Sequence, residues 1–117
     1  MKILVADDDI RVRKVIALAV RDISDEIFEC GDGREAEETY AAHLPDWVMM
    51  DLQMPVVDGI AATRRIKSSY PDARIIIVTT YESNLLRETA RSAGACAYVL
   101  KENLSELRQI ILKQRVR

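Results

Sequence analysis

Asp7, Asp8, Asp51, Thr79 and Lys101 are the residues of this sequence best suited to chemistry on a charged substrate, and each falls where a short apolar run ends. Three carboxylates brought together repel one another, so either one stays protonated or a cation occupies the gap. Oxygen ligands with no nearby Cys and a single His in the chain favour a hard ion, Mg2+ before Zn2+. Mg2+ takes one or two protein carboxylates and completes its octahedron with waters and a phosphate oxygen, so such a site is half built until phosphate arrives. A carboxylate can attack phosphorus and form an aspartyl phosphate when the charge gathering on the transferred oxygens is neutralised. Asp51 is the candidate nucleophile and Lys101 the fixed cation. The Thr79 hydroxyl can donate to a phosphoryl oxygen only once that oxygen exists, which would draw its loop inward.

These residues need elements that bring them to one edge. Apolar runs alternate with amphipathic stretches five times, without a linker or low-complexity segment, so one domain over 1–117 is expected. The expected strands are Lys2 to Asp7, Glu26 to Cys30, Trp47 to Asp51, Arg74 to Thr79 and Ala95 to Leu100. Ile3-Leu4-Val5-Ala6, Trp47-Val48-Met49-Met50 and Ile75-Ile76-Ile77-Val78 are unbroken apolar runs, as strands covered by helices on both faces require. Val12, Val15, Ile16 and Ala19 recur at helical spacing, as do Leu86, Thr89, Ala90 and Ala93. Asp32 with Glu35, and Asn103 with Glu106, read as helix starts, and Gly94 as a helix end. The alternation predicts an α/β fold, a five-stranded parallel sheet doubly wound by helices on both faces. Its strand order, 2-1-3-4-5, is taken from known flavodoxin-like sheets of this size rather than read from spacing. Ligands in such sheets sit beyond the strand carboxyl ends, beside strands 1 and 3.

Bulk properties narrow the function. Hydrophobic residues at 49% and charged residues at 31% suit a globular domain with its own core. Seventeen Lys and Arg against nineteen Asp and Glu leave a net charge of -2, without the cation excess that nucleic acid binding exploits. No apolar run approaches the roughly 20 residues that span a bilayer. The amino-terminal run turns acidic at Asp7 before a signal-peptide core forms, so a cytoplasmic address is expected. Cys30 and Cys96, without paired spacing, read as buried free thiols on opposite edges of the sheet. Trp47, Met49 and Met50 read as core, and His43 as a cation at the end of the second helix. Arg11, Arg13 and Lys14 read as a solvated face or a docking rim.

The sequence resembles the response-regulator receiver family through V-A-D-D-D at Val5–Asp9, M-D-L-Q-M-P at Met50–Pro55, D-G at Asp58-Gly59, V-T at Val78-Thr79 and G-A-C-A-Y-V-L-K at Gly94–Lys101. The resemblance covers essentially the whole chain. Each fragment alone is weak; an isolated acidic pair is more often a helix cap, and a lone Thr or Lys a surface group. Their order and spacing together are specific. The resemblance implies that Asp51 is the phosphoacceptor and that Asp8, with Asp7 assisting through water, and the Gln53 main-chain carbonyl hold Mg2+ with it. It implies that Thr79, Tyr98 and Lys101 form the switch, and that phosphate comes from a histidine kinase or a small phosphodonor. The activity implied is that of a two-component signalling protein catalysing only its own phosphorylation and dephosphorylation. The face of helix 4, strand 5 and helix 5, with Leu85, Arg87, Arg91, Gln109 and Lys113, would meet a second copy or an output domain.

Three departures matter. Many relatives have Lys-Pro where this chain has Lys101-Glu102; a cis bond without proline costs about 2.5 to 4 kcal/mol, so a trans bond and a different loop path are expected. The Lys-acidic pair also resembles the subfamily whose receivers precede a helix-turn-helix output domain. Gln53 and Tyr81, two residues beyond Asp51 and Thr79, should hinder an attacking water and slow self-dephosphorylation, while Thr80 stands where relatives prefer a small residue. Two other readings compete. An unphosphorylated protein-binding module would not need the intact acidic set, and an aspartyl-phosphate enzyme of the haloacid-dehalogenase kind would need D-x-D where Asp51-Leu52-Gln53 stands.

Overall fold

The run Ile75-Ile76-Ile77-Val78 is buried at every position, and so are Ile3–Ala6 and Trp47–Met50. Only strands packed on both faces bury both sets of alternating side chains. A computed structural model, describing residues 1–115, shows how this is achieved. Strands β1 (Lys2–Ala6), β2 (Glu26–Cys30), β3 (Trp47–Met50), β4 (Ile75–Thr79) and β5 (Ala97–Leu100) form one parallel sheet in the order β2-β1-β3-β4-β5. Helices α1 (Ile10–Val20), α2 (Gly33–His43), α3 (Gly59–Ser69), α4 (Asn84–Ala93) and α5 (Ser105–Arg115) follow the strands in turn. The expected order and strand count are the observed ones.

Alternation along the strands divides the core in two. Ile3, Val5, Trp47, Met49, Ile76 and Val78 meet Ile16 and Val20 of α1 and Leu107 and Ile111 of α5. Leu4, Ala6, Val48, Met50, Ile75 and Ile77 meet α2, α3 and α4 through Ala36, Tyr40, Ala62, Ile66 and Ala90. Trp47 fills the first layer at the amino end of β3, with the Arg74 guanidinium 4.5 Å from its ring centre.

Strands 1, 3, 4 and 5 are shorter than expected, β4 by Arg74 alone. β1 stops at Ala6 and β3 at Met50, so Asp7 and Asp51 begin the loops, although the Asp51 amide still donates to the Ala6 carbonyl at 2.9 Å. Asp32 caps α2 through the Glu35 amide, and Gly94 ends α4 at φ 110°. Asn103 does not start α5; it lies in a 3₁₀ turn, Lys101–Asn103, and α5 begins at Ser105. Val15 is 53% exposed, contrary to its place in the expected stripe. It sits one residue, about 100° of rotation, from Ile16 at the centre of the buried stripe of α1. Ala90 and Ala93 are buried and Leu86 packs against the core, as expected, while Thr89 is half-buried at the border of the stripe. Cys30 is buried on β2, but Cys96 precedes β5 on the other sheet edge and is exposed, which corrects its reading as buried. His43 ends α2 with its ring stacked on Phe28 at 4.1 Å. No helix of the described residues is long and apolar enough to cross a membrane.

Candidate phosphoryl-acceptor site

Parallel strands point all their carboxyl ends one way, and the pairing of β3 with β1 on one side and β4 on the other sets their loops side by side. Asp7 and Asp8 follow β1, Asp51 follows β3, Thr79 ends β4 and Lys101 follows β5. Carboxylate oxygens of Asp7, Asp8 and Asp51 all lie within 4.8 Å of one another. Asp7 is wholly buried, Asp51 is 8% exposed and Asp8 is open to solvent.

One cation joins two of the three. The Lys101 ammonium is 2.8 Å from Asp7 Oδ2 and 3.2 Å from Asp51 Oδ1. The second oxygen of Asp7 accepts the Asp9 amide at 2.9 Å. Burial, then the Asp7 charge, raise the Asp51 carboxyl to about 6, with Lys101 pulling the other way. Burial opposes the charge on Lys101, yet its bonds to Asp7 and the nearby Asp51 carboxylate hold the ammonium above its ordinary value. The Lys101–Glu102 bond is trans, as expected, and the 3₁₀ turn gives Lys101 its path into the site.

The third aspartate of the run has another task. Asp9 caps α1, accepting the Arg11 and Val12 amides at 2.9 and 3.4 Å, and those bonds lower its pKa. Asp58 caps α3 through the Ala61 amide at 2.8 Å. Gly59 follows because α3 must start against Asp51: a Cβ there would lie 1.8 Å from the Asp51 carbonyl oxygen. Within the same loop Val56 has φ 68°, and the Val57 amide donates to the Pro55 carbonyl at 2.8 Å. This is a γ-turn of the rare positive-φ kind, unfavourable for a β-branched residue.

Thr79 is buried, and its Oγ1 accepts the Tyr81 amide at 3.2 Å. Among the described residues it makes no bond to Asp51. The Tyr98 hydroxyl donates to the Tyr81 carbonyl at 2.6 Å, with the Arg87 guanidinium 4.6 Å from its ring centre. The Tyr81 hydroxyl donates to Gln53 Oε1 at 3.2 Å, tying the loop after β3 to the loop after β4. The acidic set and Lys101 are therefore in contact, while Thr79, Tyr98 and Gln53 meet at Tyr81.

Sequence reasoning named Gly59 only as part of the D-G motif and Arg13 only as part of a cationic face, and it missed the role of each and the turn at Val56. Arg13 is not part of an open cationic face, since its side chain is 16% exposed and bonded to Glu29. Helical spacing gives no hint that it folds back over the strand ends. Gly59 carried a signal, since a glycine directly after the capping Asp58 marks close backbone approach.

The donor set fits a hard ion such as Mg2+: three carboxylates from two strand ends, oxygen only, one of them open to water. A family model described as response regulator receiver domain matches residues 3–112. A transcriptional regulatory protein of Mycobacterium tuberculosis, PdtaR, is 42% identical over 86% of this chain and 49% of its own length. The chain thus spans about half the length of the curated relatives it matches. A LuxR-family two-component response regulator from Aurantimonas sp. SI85-9A1 superposes with a TM-score of 0.88 at 34% identity, over 96% of this chain and 82% of that one. The beryllofluoride-activated receiver domain of Klebsiella pneumoniae RstA superposes with a TM-score of 0.87 at 26% identity, over 100% and 99%.

Proposed function

The chain belongs to the response regulator receiver family, the phosphoryl-accepting domains of two-component systems, and from that premise we propose that Asp51 is the acceptor, assisted by Lys101 and Thr79. The observation that carries the assignment is the buried Asp51 carboxylate beside Asp7 and Asp8 with Lys101 bridging it to Asp7. Receivers take their phosphoryl group on an aspartate, use Mg2+ in an acidic pocket, and work with histidine kinases. In this chain Asp8 and Asp51, Asp7 directly or through water, and the Gln53 carbonyl would hold the ion. Bound there, Mg2+ supplies positive charge for the oxygens of the transferred group.

The chain's own residues do the rest. Asp51 must be ionised to attack, and a pKa near 6 leaves it so at neutral pH. One of its oxygens bonds to phosphorus as the donor's leaving group departs with the electrons of the broken bond. Lys101 is already within reach of Asp51, so the charge of the new phosphoryl oxygens meets a cation that need not be recruited. Thr79 uses its hydroxyl oxygen as an acceptor for Tyr81, which leaves the O–H free to donate to a phosphoryl oxygen. Moving Thr79 moves Tyr81, and the Tyr81 carbonyl is held by Tyr98. The signal then reaches the face of α4, β5 and α5, where Leu85 is 75% exposed and where we place the contact with a second copy or an output domain.

Intact mass after incubation with acetyl phosphate and Mg2+ tests the assignment. One added phosphoryl group in the wild type, absent in Asp51→Asn and in chelator, is the expected result. No gain with any donor would leave the domain as an unphosphorylated protein-binding module.

A further inference from the structure

Arg13 sits in the first turns of α1, yet its guanidinium lies over the carboxyl ends of β1 and β2. Its Nη1 donates to the Asp7 carbonyl at 2.9 Å and the Cys30 carbonyl at 3.4 Å, and its Nε donates to Glu29 Oε1 at 3.0 Å. Glu29 is held in turn by Lys14, whose ammonium is 2.9 Å from Oε2. We infer that Arg13 is a positioning residue for the acidic pocket, fixing the peptide between Asp7 and Asp8 so that the exposed Asp8 carboxylate is presented to a divalent cation.

The three carboxylates differ in what holds them. Asp7 has one oxygen on the Asp9 amide and the other on Lys101, and Asp51 has Lys101. The Asp8 side chain makes no hydrogen bond among the described residues, so its direction depends on its backbone. That backbone starts at the Asp7–Asp8 peptide, just where the β1–β2 ladder runs out: the Asp7 amide still donates to Cys30, at 3.1 Å, but the Asp7 carbonyl has no further strand to pair with. Arg13 supplies the missing donor. A planar guanidinium can serve a carbonyl and a carboxylate at once in fixed relative directions, which an ammonium cannot. Burial works against the Glu29 charge, but Lys14 and Arg13 together keep its carboxyl below its ordinary value, so the anchor stays ionised at neutral pH.

The inference rests on the metal-site reading above, and the experiment separates the two. Mg2+ binding to metal-free protein is measured by titration calorimetry for the wild type, Arg13→Ala, Arg13→Lys and Glu29→Gln. The folded fraction of each is checked by denaturant titration, and exchange of the Asp9 amide proton is followed without metal. Loss of a residue that orients a ligand typically weakens metal affinity by about tenfold or more. Arg13→Ala is expected to weaken Mg2+ binding by about that factor and to speed Asp9 amide exchange, with Arg13→Lys intermediate and Glu29→Gln showing a smaller loss of the same sign. If Arg13→Ala does not fold, the other two variants decide. Folded variants that bind Mg2+ as the wild type does would overturn the inference, whereas a wild type that binds no Mg2+ removes the site reading beneath it.

Discussion

At the scale of single residues, the site is a problem of charge placed under cover. Asp51 is nearly buried, and its carboxyl is raised from 3.8 to about 6, by burial first and by Asp7 second. A folded-state pKa above the unfolded one means that the fold holds the extra proton between about 4 and about 6. Stability is therefore lost as pH rises through that window, and above it the metal-free fold carries the buried charge at a cost of up to about 3 kcal/mol. Asp51→Asn is expected to unfold at higher urea than the wild type at pH 7.5 without Mg2+, with the gap closing at pH 4. Equal midpoints at pH 7.5 would show that Lys101 compensates the charge in full. The Tyr81–Gln53 bond acts at the same scale: it ties the loop after β3 to the loop after β4, and we propose that the pair hinders water from reaching the phosphoryl group. Tyr81→Ala is expected to shorten the lifetime of the phosphorylated protein severalfold, followed by loss of the added mass; an unchanged rate would leave Tyr81 no part in shielding.

At the scale of elements, the loop between β3 and α3 is tightly constrained. A Cβ at Gly59 would strike the Asp51 carbonyl, and one at Gly33 would come within 2.0 Å of the Val57 carbonyl oxygen. Squeezed between the starts of α2 and α3, the loop turns within three residues, and Val56 takes the positive φ that this demands. Val56 is 74% exposed and buries little in return. Val56→Gly should therefore stabilise the domain by about 1 kcal/mol through relief of backbone strain. Denaturant titration checks this, and a loss of stability would mean that the valine side chain packs better than its exposure implies. Strands and helices were legible because unbroken apolar runs and helical stripes state which faces are covered, whereas the sheet order came from known sheets of this size and matches the observed one. This turn was not legible, since Val56-Val57 looks like ordinary apolar filler and its conformation is imposed by neighbours far along the chain. Val15 failed for a related reason: helical spacing tolerates a residue at the border of a stripe, and only the packing of α1 on the sheet decides its side. The acidic set was legible because each member closes an apolar run, whereas the role of Arg13 depends on a side chain crossing to another strand.

At the scale of the whole molecule, the doubly wound sheet puts its two thiols at opposite edges in unlike surroundings. Cys30 is buried, and its thiol is pushed up to about 12 by burial and by the charges of Glu35 and Asp32. Cys96 is exposed beside α4. One thiol per folded chain should react with an excess of a thiol reagent, and mapping should place the label on Cys96, with the second reacting only in denaturant. Prompt reaction of both would indicate that the β2 edge opens readily. The same sheet separates Trp47 from the site, because Trp47 begins the strand that Asp51 follows, roughly 13 Å away at strand spacing. The chain has one tryptophan, buried in the core layer and covered by Arg74 at the amino end of the sheet. Its emission is therefore a gauge of core integrity rather than of events at Asp51. An optical reporter of phosphorylation has to be installed, and Trp47→Phe combined with Tyr81→Trp would carry the fluorophore from the floor of the sheet to the rim beside Thr79, where we propose the switch begins.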